Sequence, residues 1–412
     1  MAQTTELAPH YWPEGLETDS QGQLLIAGQP ASMLAMQHGT PLYVYNAEDA
    51  GVRIQDLRSQ LPNGVKLHYA VKANPHSQLL RRLAPWLDGM DVASAGELQR
   101  ALHAGIEGRD ISLAGPGKTT TDLQAALNAG SVVGIESFTQ LHRAADLARG
   151  QGHRVPISIR LNPDFRLKSS GMHMGGGASP FGIDAEEVPE LLEEARHLPV
   201  YIAGFQIYAG SQNLQAEAIA EAQARSLDLI LNVCPGGIIP EFVNLGGGFG
   251  IPYFPGDRPL EIAPIAEGLA QLQVRLHERW PETGLVLELG RYLVGESGVY
   301  LTRVVDRKVS RGETFLVTDG GMNHHLAASG NLGQVVRRNF PVAVATRLNN
   351  QASEVVNIVG PLCTPLDRLA SQVHLPHAEP GDLIAIFQSG AYGLTASPVG
   401  FLDHPLPAEI VL

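Results

Sequence analysis

The residues of this chain that are best suited to chemistry stand at the ends of short apolar segments. Lys72 follows Leu67–Val71, Glu288 ends Leu285–Glu288, and three consecutive glycines occupy Gly246–Gly248. A partly desolvated lysine amine is a nucleophile that forms Schiff bases with carbonyl groups. Three glycines after a strand can expose backbone N–H groups to a phosphate. The combination indicates Schiff-base chemistry on a phosphorylated group.

Each of these features also has a structural explanation. A lysine at a strand end is usually a solvated surface residue, and Glu288 could form an ion pair with Arg291 alone. A tight turn with positive φ explains one glycine of the run but not three. The segment Asn244–Gly250 contains a dinucleotide-type GxGxxG pattern, yet Pro252 and Pro255 follow where a helix should begin, which argues against a dinucleotide site.

The elements that position these residues alternate between short apolar strands and helical patterns. The intervals carry apolar residues at helical spacing, as at Leu79, Leu83 and Leu87. This alternation predicts a parallel sheet covered on both faces, and eight units predict a closed (β/α)8 barrel, with a doubly wound sheet as the alternative. The predicted strands are Leu67–Val71, Met90–Ala93, Ile111–Ala114, Val132–Glu136, Ile157–Leu161, Gly204–Tyr208, Phe242–Leu245 and Leu285–Glu288.

In such a barrel the active site lies at the carboxyl ends of the strands. These predicted strand ends carry a lysine, carboxylates, arginines and a glycine run of a size that suits a phosphate. We therefore expect one site at the carboxyl ends of the strands. The residues concerned are Lys72, Asp91, Arg160, Tyr208, Gly246–Gly248, Glu288 and Arg291.

Beyond Tyr292 the pattern changes to strands and turns, which predicts an antiparallel β domain. We therefore predict an N-terminal segment over residues 1–38, a barrel over 39–291 and a C-terminal β domain over 292–412. A strand at Leu24–Ile26 is expected to join the β domain. A strand that leads into the barrel is predicted at Leu42–Tyr45. The strands predicted in the C-terminal domain are Val299–Lys308, Thr314–Thr318, Val355–Val359 and Leu383–Phe387.

Composition and charge exclude several classes of protein. The net charge of −13, with no basic run, argues against nucleic acid and anionic membranes. Two distant cysteines, Cys234 and Cys363, provide no disulfide framework or CxxC metal pattern, which fits a reducing cytosol. The sequence shows no signal-peptide pattern and no apolar run approaching the roughly 20 residues needed to cross a bilayer. We expect a cytoplasmic protein.

A metal site is not predicted. His324 and His325 are adjacent, so their side chains would point to opposite faces of a strand, and no carboxylate spacing accompanies them.

The segment Tyr69–Asn74 resembles the pyridoxal-phosphate (PLP) lysine motif of fold-type III amino-acid decarboxylases, the family of the diaminopimelate and ornithine decarboxylases. The resemblance extends in order along nearly the whole chain. The other matching segments are Pro41–Tyr45, Asp91–Ser94, Gly115–Lys118, Phe181–Ile183, Gly210–Gln212, the glycine run, Glu288–Arg291, Cys363…Asp367 and Gly390–Tyr392.

The resemblance implies a PLP-binding barrel, a C-terminal β domain and a head-to-tail homodimer with shared active sites. It implies that Lys72 carries PLP as a Schiff base and that Glu288 pairs with the pyridine nitrogen. Cys363, reaching the site from the partner subunit, is the candidate acid that returns a proton to Cα after CO₂ leaves. The implied PLP-binding residues are Lys72, Asp91, Arg160, Tyr208, Ser211, Gly246, Gly247, Gly248, Glu288, Gly290, Arg291 and Tyr392. The implied substrate-binding residues are Thr364, Asp367, Arg337 and Tyr392.

Two single-residue departures from the family pattern bear on the site. Tyr208 stands where the family usually has a histidine stacked on the PLP ring, and a tyrosine can stack as well. Thr364 follows Cys363 where decarboxylases of free basic amino acids typically have an acidic residue facing the distal amine. The loss of that acid argues against a substrate with a distal cation.

A longer departure concerns the segment Asp319–Asn331 with the following Arg337 and Arg338. It replaces the Arg-Pro…Leu-Tyr segment expected of diaminopimelate decarboxylases. Together with Gly171–Gly177, it resembles the subgroup that includes decarboxylases of amino acids tethered to acyl carrier proteins. The negative chain disfavours docking of an acidic carrier unless basic residues such as these two arginines cluster locally.

The leading hypothesis is therefore PLP-dependent decarboxylation of an amino-acid substrate, of the glutamyl-carrier-protein type. A free amino acid such as meso-diaminopimelate, ornithine or lysine is the alternative. A racemase on the same barrel is disfavoured by Cys363…Asp367 and Gly390–Tyr392. A catalytically inactive regulatory homologue is disfavoured because Lys72, the glycine run and Glu288 are retained.

Overall fold

The structure is a computed structural model that describes residues 16–165, 172–173, 176–334 and 336–412. Its chain divides into two compact units. The barrel unit comprises residues 51–251 and 260–293, and the β unit comprises residues up to 50, 252–259 and 294–412. Within the described part, no helix is long and apolar enough to span a membrane.

The barrel unit contains eight parallel strands that close on themselves. Closure comes from the pairing of the fourth strand with the fifth, as at Val133 with Ile157, and of the eighth with the first, as at Leu287 with Leu67. All eight predicted strands are confirmed, and the doubly wound alternative is wrong. The strands are Lys66–Ala70, Gly89–Val92, Ile111–Leu113, Val132–Ile135, Val155–Asn162, Val200–Gln206, Phe242–Gly247 and Gly284–Leu289.

Burial explains why these strands are so apolar. Every residue of Val132–Ile135 is buried, because one face points into the barrel and the other packs under helices. Several helices begin at a capping residue in the loop that follows a strand, as at Ser94, Thr119 and Ser137, whose side chains accept backbone N–H bonds. The α-helices of the described chain are Ala31–His38, Ala47–Gln60, Ser77–Leu83, Ala95–His103, Thr120–Ala129, Phe138–Arg149, Val188–Ala195, Ala216–Val233, Ala263–Arg279 and Arg291–Val294.

The β unit is built on an eight-stranded sheet whose long central strand is Gly298–Ser310. Most pairings are antiparallel as predicted, but Glu313–Thr318 runs parallel to Glu354–Val359, and Leu42–Tyr45 runs parallel to Ala408–Val411. Parallel pairing is possible here because long stretches of chain separate the paired strands. The remaining strands of the sheet are Val342–Val344, Arg368–Leu375 and Leu383–Ile386.

The N-terminal strand Leu24–Ile26 does not extend this sheet. It forms a separate three-stranded sheet with Glu17–Thr18 and Gln29–Pro30. Its backbone still contacts the β unit, since Leu24 N donates to Ala345 O at 2.7 Å, and its side chains pack in the same apolar core. Leu42–Tyr45, which lies inside the predicted barrel range, also belongs to the β unit.

Candidate active site

Lys72 lies directly after the first barrel strand, in the single 3₁₀ turn Val71–Ala73. Val71 and Ala73 are buried, which fixes the turn, whereas Lys72 is exposed in the single chain. In the single chain the Lys72 side chain is therefore open to water, as is usual for a lysine at a strand end. Its Nζ atom lies 5.4 Å from the centroid of the Tyr208 ring, within range of a cation–π contact. The structure therefore places the predicted lysine beside the aromatic residue predicted to stack.

Glu288 is the buried carboxylate at the end of the eighth strand. Gln206, on the sixth strand, donates from Nε2 to Glu288 Oε2 at 2.6 Å. Burial raises the pKa of Glu288, the charge of Asp91 raises it further, and Lys72 and Arg160 oppose the shift. These mutual interactions bring four of the predicted residues into one electrostatic group at the carboxyl ends of the strands.

His68 is a member of this group that the sequence did not reveal. Its Nδ1 atom lies 3.5 Å from Asp91 Oδ2, and both side chains are nearly buried. Burial acts to lower the pKa of His68, but the carboxylates of Asp91 and Glu288 outweigh it, so the pKa is raised. A histidine inside an apolar strand needs a buried partner, and that need is the signal that sequence inspection could have used.

Close packing requires glycine at all three positions of the run. The sequence analysis expected a tight turn to require only one of them. Gly246 and Gly248 have φ values of 70° and 79°. A Cβ atom on Gly247 would lie 2.1 Å from the Glu288 carbonyl oxygen, and one on Gly248 would lie 2.2 Å from the Gly210 carbonyl oxygen. The packing sets this loop beside Gly210–Ser211, so these two segments of the implied PLP-binding set lie together.

The segment that ends in Arg291 also packs close to the lysine turn. A Cβ atom on Gly290 would lie 2.8 Å from Ala73 Cβ, so only glycine allows this approach. Arg291 then begins the short helix Arg291–Val294.

A second buried charge cluster, which the sequence did not predict, surrounds Glu136 after the fourth strand. The Glu136 carboxylate accepts hydrogen bonds from the backbone of Gly115 and Gly182 and lies 3.3 Å from Arg160 Nη1. Lys118 Nζ lies 3.7 Å away and is completely buried. Burial lowers the pKa of Lys118 to about 8, although Glu136 acts in the opposite direction. Arg160 is therefore anchored by Glu136.

We expect Glu136→Gln to lower the free energy of unfolding by about 3 kcal/mol, because it leaves two buried cations without their carboxylate. Denaturant titration measures the change. The matched control is Glu193→Gln, which removes an exposed ion pair with Arg196 and should cost roughly 0–1 kcal/mol. Equal losses in the two variants would show that the buried cluster has no special role.

In the β unit, the predicted substrate ligand Asp367 is hydrogen-bonded to the backbone. Its buried carboxylate accepts backbone hydrogen bonds from Met322 at 2.6 Å and from Leu362 at 2.8 Å. Burial raises the pKa of Asp367, and these two bonds oppose the shift. The carboxylate therefore joins the loop that carries Cys363 to the segment Asp319–Asn331, and contact of Asp367 with a substrate stays a prediction.

We expect Asp367→Asn to lower the free energy of unfolding by about 1–3 kcal/mol, since an amide replaces one acceptor oxygen with a donor facing a backbone N–H. Thermal or denaturant unfolding tests this expectation. Asp306→Asn, at an exposed position of the same unit, is the control. A variant as stable as the control would show that the two hydrogen bonds to Asp367 do not stabilise the fold.

Cys363 is an exposed thiol in this loop, and Thr364 is half-buried beside it. Gly390 in the later motif is required by packing, because a Cβ there would lie 1.7 Å from the Val294 carbonyl oxygen. Tyr392 has a φ of 54°, a left-handed conformation that non-glycine residues adopt mainly at constrained, functional positions.

The two adjacent histidines form part of the β-unit core. His325 accepts a hydrogen bond from Ala328 N at Nδ1, so its Nε2–H donates to Ser389 Oγ at 2.9 Å. Burial lowers the pKa of His325 to about 3. The carbonyl of His324 accepts from the Tyr43 hydroxyl at 2.8 Å. In the described ranges, no group of three or more His, Cys, Asp or Glu side chains is arranged to hold a metal.

The predicted motif Gly171–Gly177 lies only partly in the described structure. Met172–His173 pair in antiparallel fashion with Gly210–Ser211, and positions 171, 174 and 175 are outside the described residues.

The donor set of the barrel unit fits PLP. An amine lies beside an aromatic ring, and a serine lies beside a glycine loop. A buried carboxylate with a raised pKa stands at a strand end, suited to share the proton of a ring nitrogen. A closed (β/α)8 barrel with these side chains on its carboxyl rim defines a PLP-binding barrel protein.

Comparison with known proteins agrees with this class. The family described as pyridoxal-dependent decarboxylase, pyridoxal binding domain, matches residues 49–295, and the chain belongs to this family. It is 38% identical to an L-glutamyl-[BtrI acyl-carrier protein] decarboxylase of Niallia circulans, over 92% of this chain and 90% of that one. It is 31% identical to a diaminopimelate decarboxylase of Aquifex aeolicus, over 95% and 91%.

Among solved structures, the chain is similar to diaminopimelate decarboxylase from Helicobacter pylori complexed with L-lysine. The TM-score is 0.83 at 29% identity, covering 92% of this chain and 93% of that one. The family, the fold and the named relatives establish a PLP-dependent decarboxylase that acts on an amino-acid substrate.

Proposed function

We propose that this decarboxylase acts on an amino acid tethered to an acyl carrier protein, as a glutamyl thioester, and that it does so as a homodimer. The observation that carries the proposal is the 38% identity, over nearly the full length of both chains, to a relative named for a glutamyl-carrier substrate. The relatives named as diaminopimelate decarboxylases are 30–33% identical over similar lengths.

The residue after Cys363 supports the same substrate class. Thr364 has no charge with which to pair the distal amine of diaminopimelate, ornithine or lysine. A glutamyl group attached through its side-chain carboxyl has no such amine, while its α-amino and α-carboxylate groups remain available. A polar, uncharged residue is compatible with that substrate.

Bound PLP would supply the electron sink for the pair of electrons left when CO₂ departs. Lys72 would hold the cofactor covalently, and the Ser211 and glycine-loop region would bind its phosphate. Glu288, oriented by Gln206, would retain a proton on the pyridine nitrogen. The partner subunit's Cys363 would return a proton to the substrate Cα.

The test is CO₂ release from glutamyl-loaded carrier protein beside free meso-diaminopimelate, ornithine, lysine and glutamate. We expect turnover of the carrier-linked glutamyl group alone. Thr364→Glu provides a second arm, because an added carboxylate should repel the carrier-linked substrate and lower kcat/KM without loss of bound PLP. Turnover of a free diamino acid by the wild type would overturn the carrier proposal and favour the free-amino-acid alternative.

A further inference from the structure

A cluster of arginines in the β unit stands out against the acidic composition of the chain, which has 42 acidic and 29 basic residues. Arg337 and Arg338 are exposed, and Arg368 is half-buried. In the part of the chain that the structure describes, no carboxylate lies within 4.0 Å of these three guanidinium groups. The same unit pairs Arg307 with Glu354 and Arg347 with Asp382.

Two arginines of the cluster have defined contacts, and Arg337 is held by the loop that carries Cys363. Arg337 Nη2 donates to the carbonyl oxygens of Leu366 and Arg368. Asn331 Nδ2 donates to the same Leu366 oxygen at 3.2 Å. The Arg338 guanidinium lies 3.7 Å from the centroid of the Phe254 ring. These contacts restrain the side chains of Arg337 and Arg338, so less side-chain entropy remains to be lost when these two bind an anion.

The local electrostatics favour an anionic partner. The pKa of Arg337 lies below its usual value, first because of burial and second because of the neighbouring charge of Arg368. The charge of the buried Asp367 opposes this shift only in part. Like charges held together are stabilised when an anion arrives.

Apolar surface accompanies the charge. Val336 is 73% exposed and Leu366 is 52% exposed, directly beside the arginines. A single phosphate would use only the arginines, whereas a protein surface with acidic and apolar side chains would use both. The mixture therefore favours a protein partner over a small anion.

We propose that the arginine cluster, defined as Arg337, Arg338 and Arg368 with Val336 and Leu366, is the docking surface for an acidic face of the carrier protein that delivers the substrate. This inference rests on the proposed function. Leu366 belongs to the same loop as Cys363 and Thr364, so a carrier bound here lies beside the loop assigned to the substrate. Local positive charge also resolves how a chain of net charge −13 can accept an acidic partner.

The experiment compares two substrates of the full-length enzyme: glutamyl-loaded carrier protein, and the same glutamyl thioester on pantetheine without the protein. We expect Arg338→Glu to lower kcat/KM for the carrier-linked substrate about tenfold or more, with a weaker dependence on salt. The pantetheine thioester should be turned over as by wild type. Lys308→Glu makes the same charge change at an exposed position of the β unit and should leave both substrates unaffected.

Three other outcomes would overturn the proposal that this cluster is the docking surface. Equal losses on both substrates would mean that the arginines act on the acyl arm or on the fold, and no loss on either would mean that the carrier binds elsewhere. A change in sedimentation would show that the cluster is an interface between copies of this chain. Failure of the proposed function looks different, because the wild type would then turn over neither thioester.

Discussion

Replacement of Lys72 by alanine is expected to abolish covalent PLP attachment and to lower decarboxylation by a factor on the order of 10³ or more. The expectation follows from position: the amine projects from a buried strand end and lies 5.4 Å from the Tyr208 ring centroid. The visible absorbance of protein-bound PLP, followed before and after borohydride, measures attachment. Peptide mass spectrometry of the reduced protein identifies the modified lysine.

Lys66→Ala is the matched control for this experiment. Lys66 is an exposed lysine at the start of the same strand, so its loss removes a similar charge at the opposite end of the barrel. The control should keep both the absorbance and the activity. A Lys72→Ala protein that is still labelled after borohydride would show that another amine carries the cofactor.

The barrel was predictable because its signals are local. Each strand is a short apolar segment followed by a capping residue or a loop, and these features can be recognised without knowing the strand's neighbours. Lys72 and Glu288 were found by a geometric rule that places active sites at the carboxyl ends of barrel strands. The family motifs then assigned their expected roles.

The partners of these residues could not be predicted, because they are close in space and distant in sequence. Gln206 contacts Glu288 from 82 residues away, and Glu136 contacts Arg160 from 24 residues away. The sequence around one residue of each pair does not identify the other residue as its partner. The parallel pairing of Glu313–Thr318 with Glu354–Val359 was not predicted for the same reason. Hairpin signals identify only pairs of strands that follow one another in the sequence.

Asp367 shows that a motif alone does not reveal the surroundings of a side chain. Its place in Cys363…Asp367 suggested contact with substrate, yet two backbone N–H groups occupy its carboxylate. Glycines at 321 and 360 make room for it, because a Cβ at either position would lie within 2.4 Å of a carboxylate oxygen. These contacts show that Asp367 supports the loop that carries Cys363, while its contact with a substrate stays a prediction.

Glu288→Gln should lower the rate of decarboxylation and raise the stability of the PLP-free protein. The substitution keeps the shape of the side chain but removes the negative charge that would retain a proton on the pyridine nitrogen. We expect decarboxylation to fall by a factor of about 10²–10³, while Lys72 still attaches PLP. Glu282→Gln, an exposed change in the loop before the same strand, should leave the rate unchanged.

The stability of the PLP-free protein should increase in the same variant. The folded-state pKa of Glu288 is raised, so the fold favours the protonated carboxyl, and stability is lost as pH rises through that pKa. At neutral pH, a neutral glutamine avoids the burial cost of the charge and the repulsion from Asp91. Unfolding of the two PLP-free proteins from pH 4 to 8 should therefore show the variant more stable at neutral pH, with the difference shrinking toward acid. A variant that is less stable at neutral pH would mean that Lys72, Arg160 and Gln206 compensate the buried charge more than fully, and that Glu288 contributes to the fold as well as to the reaction.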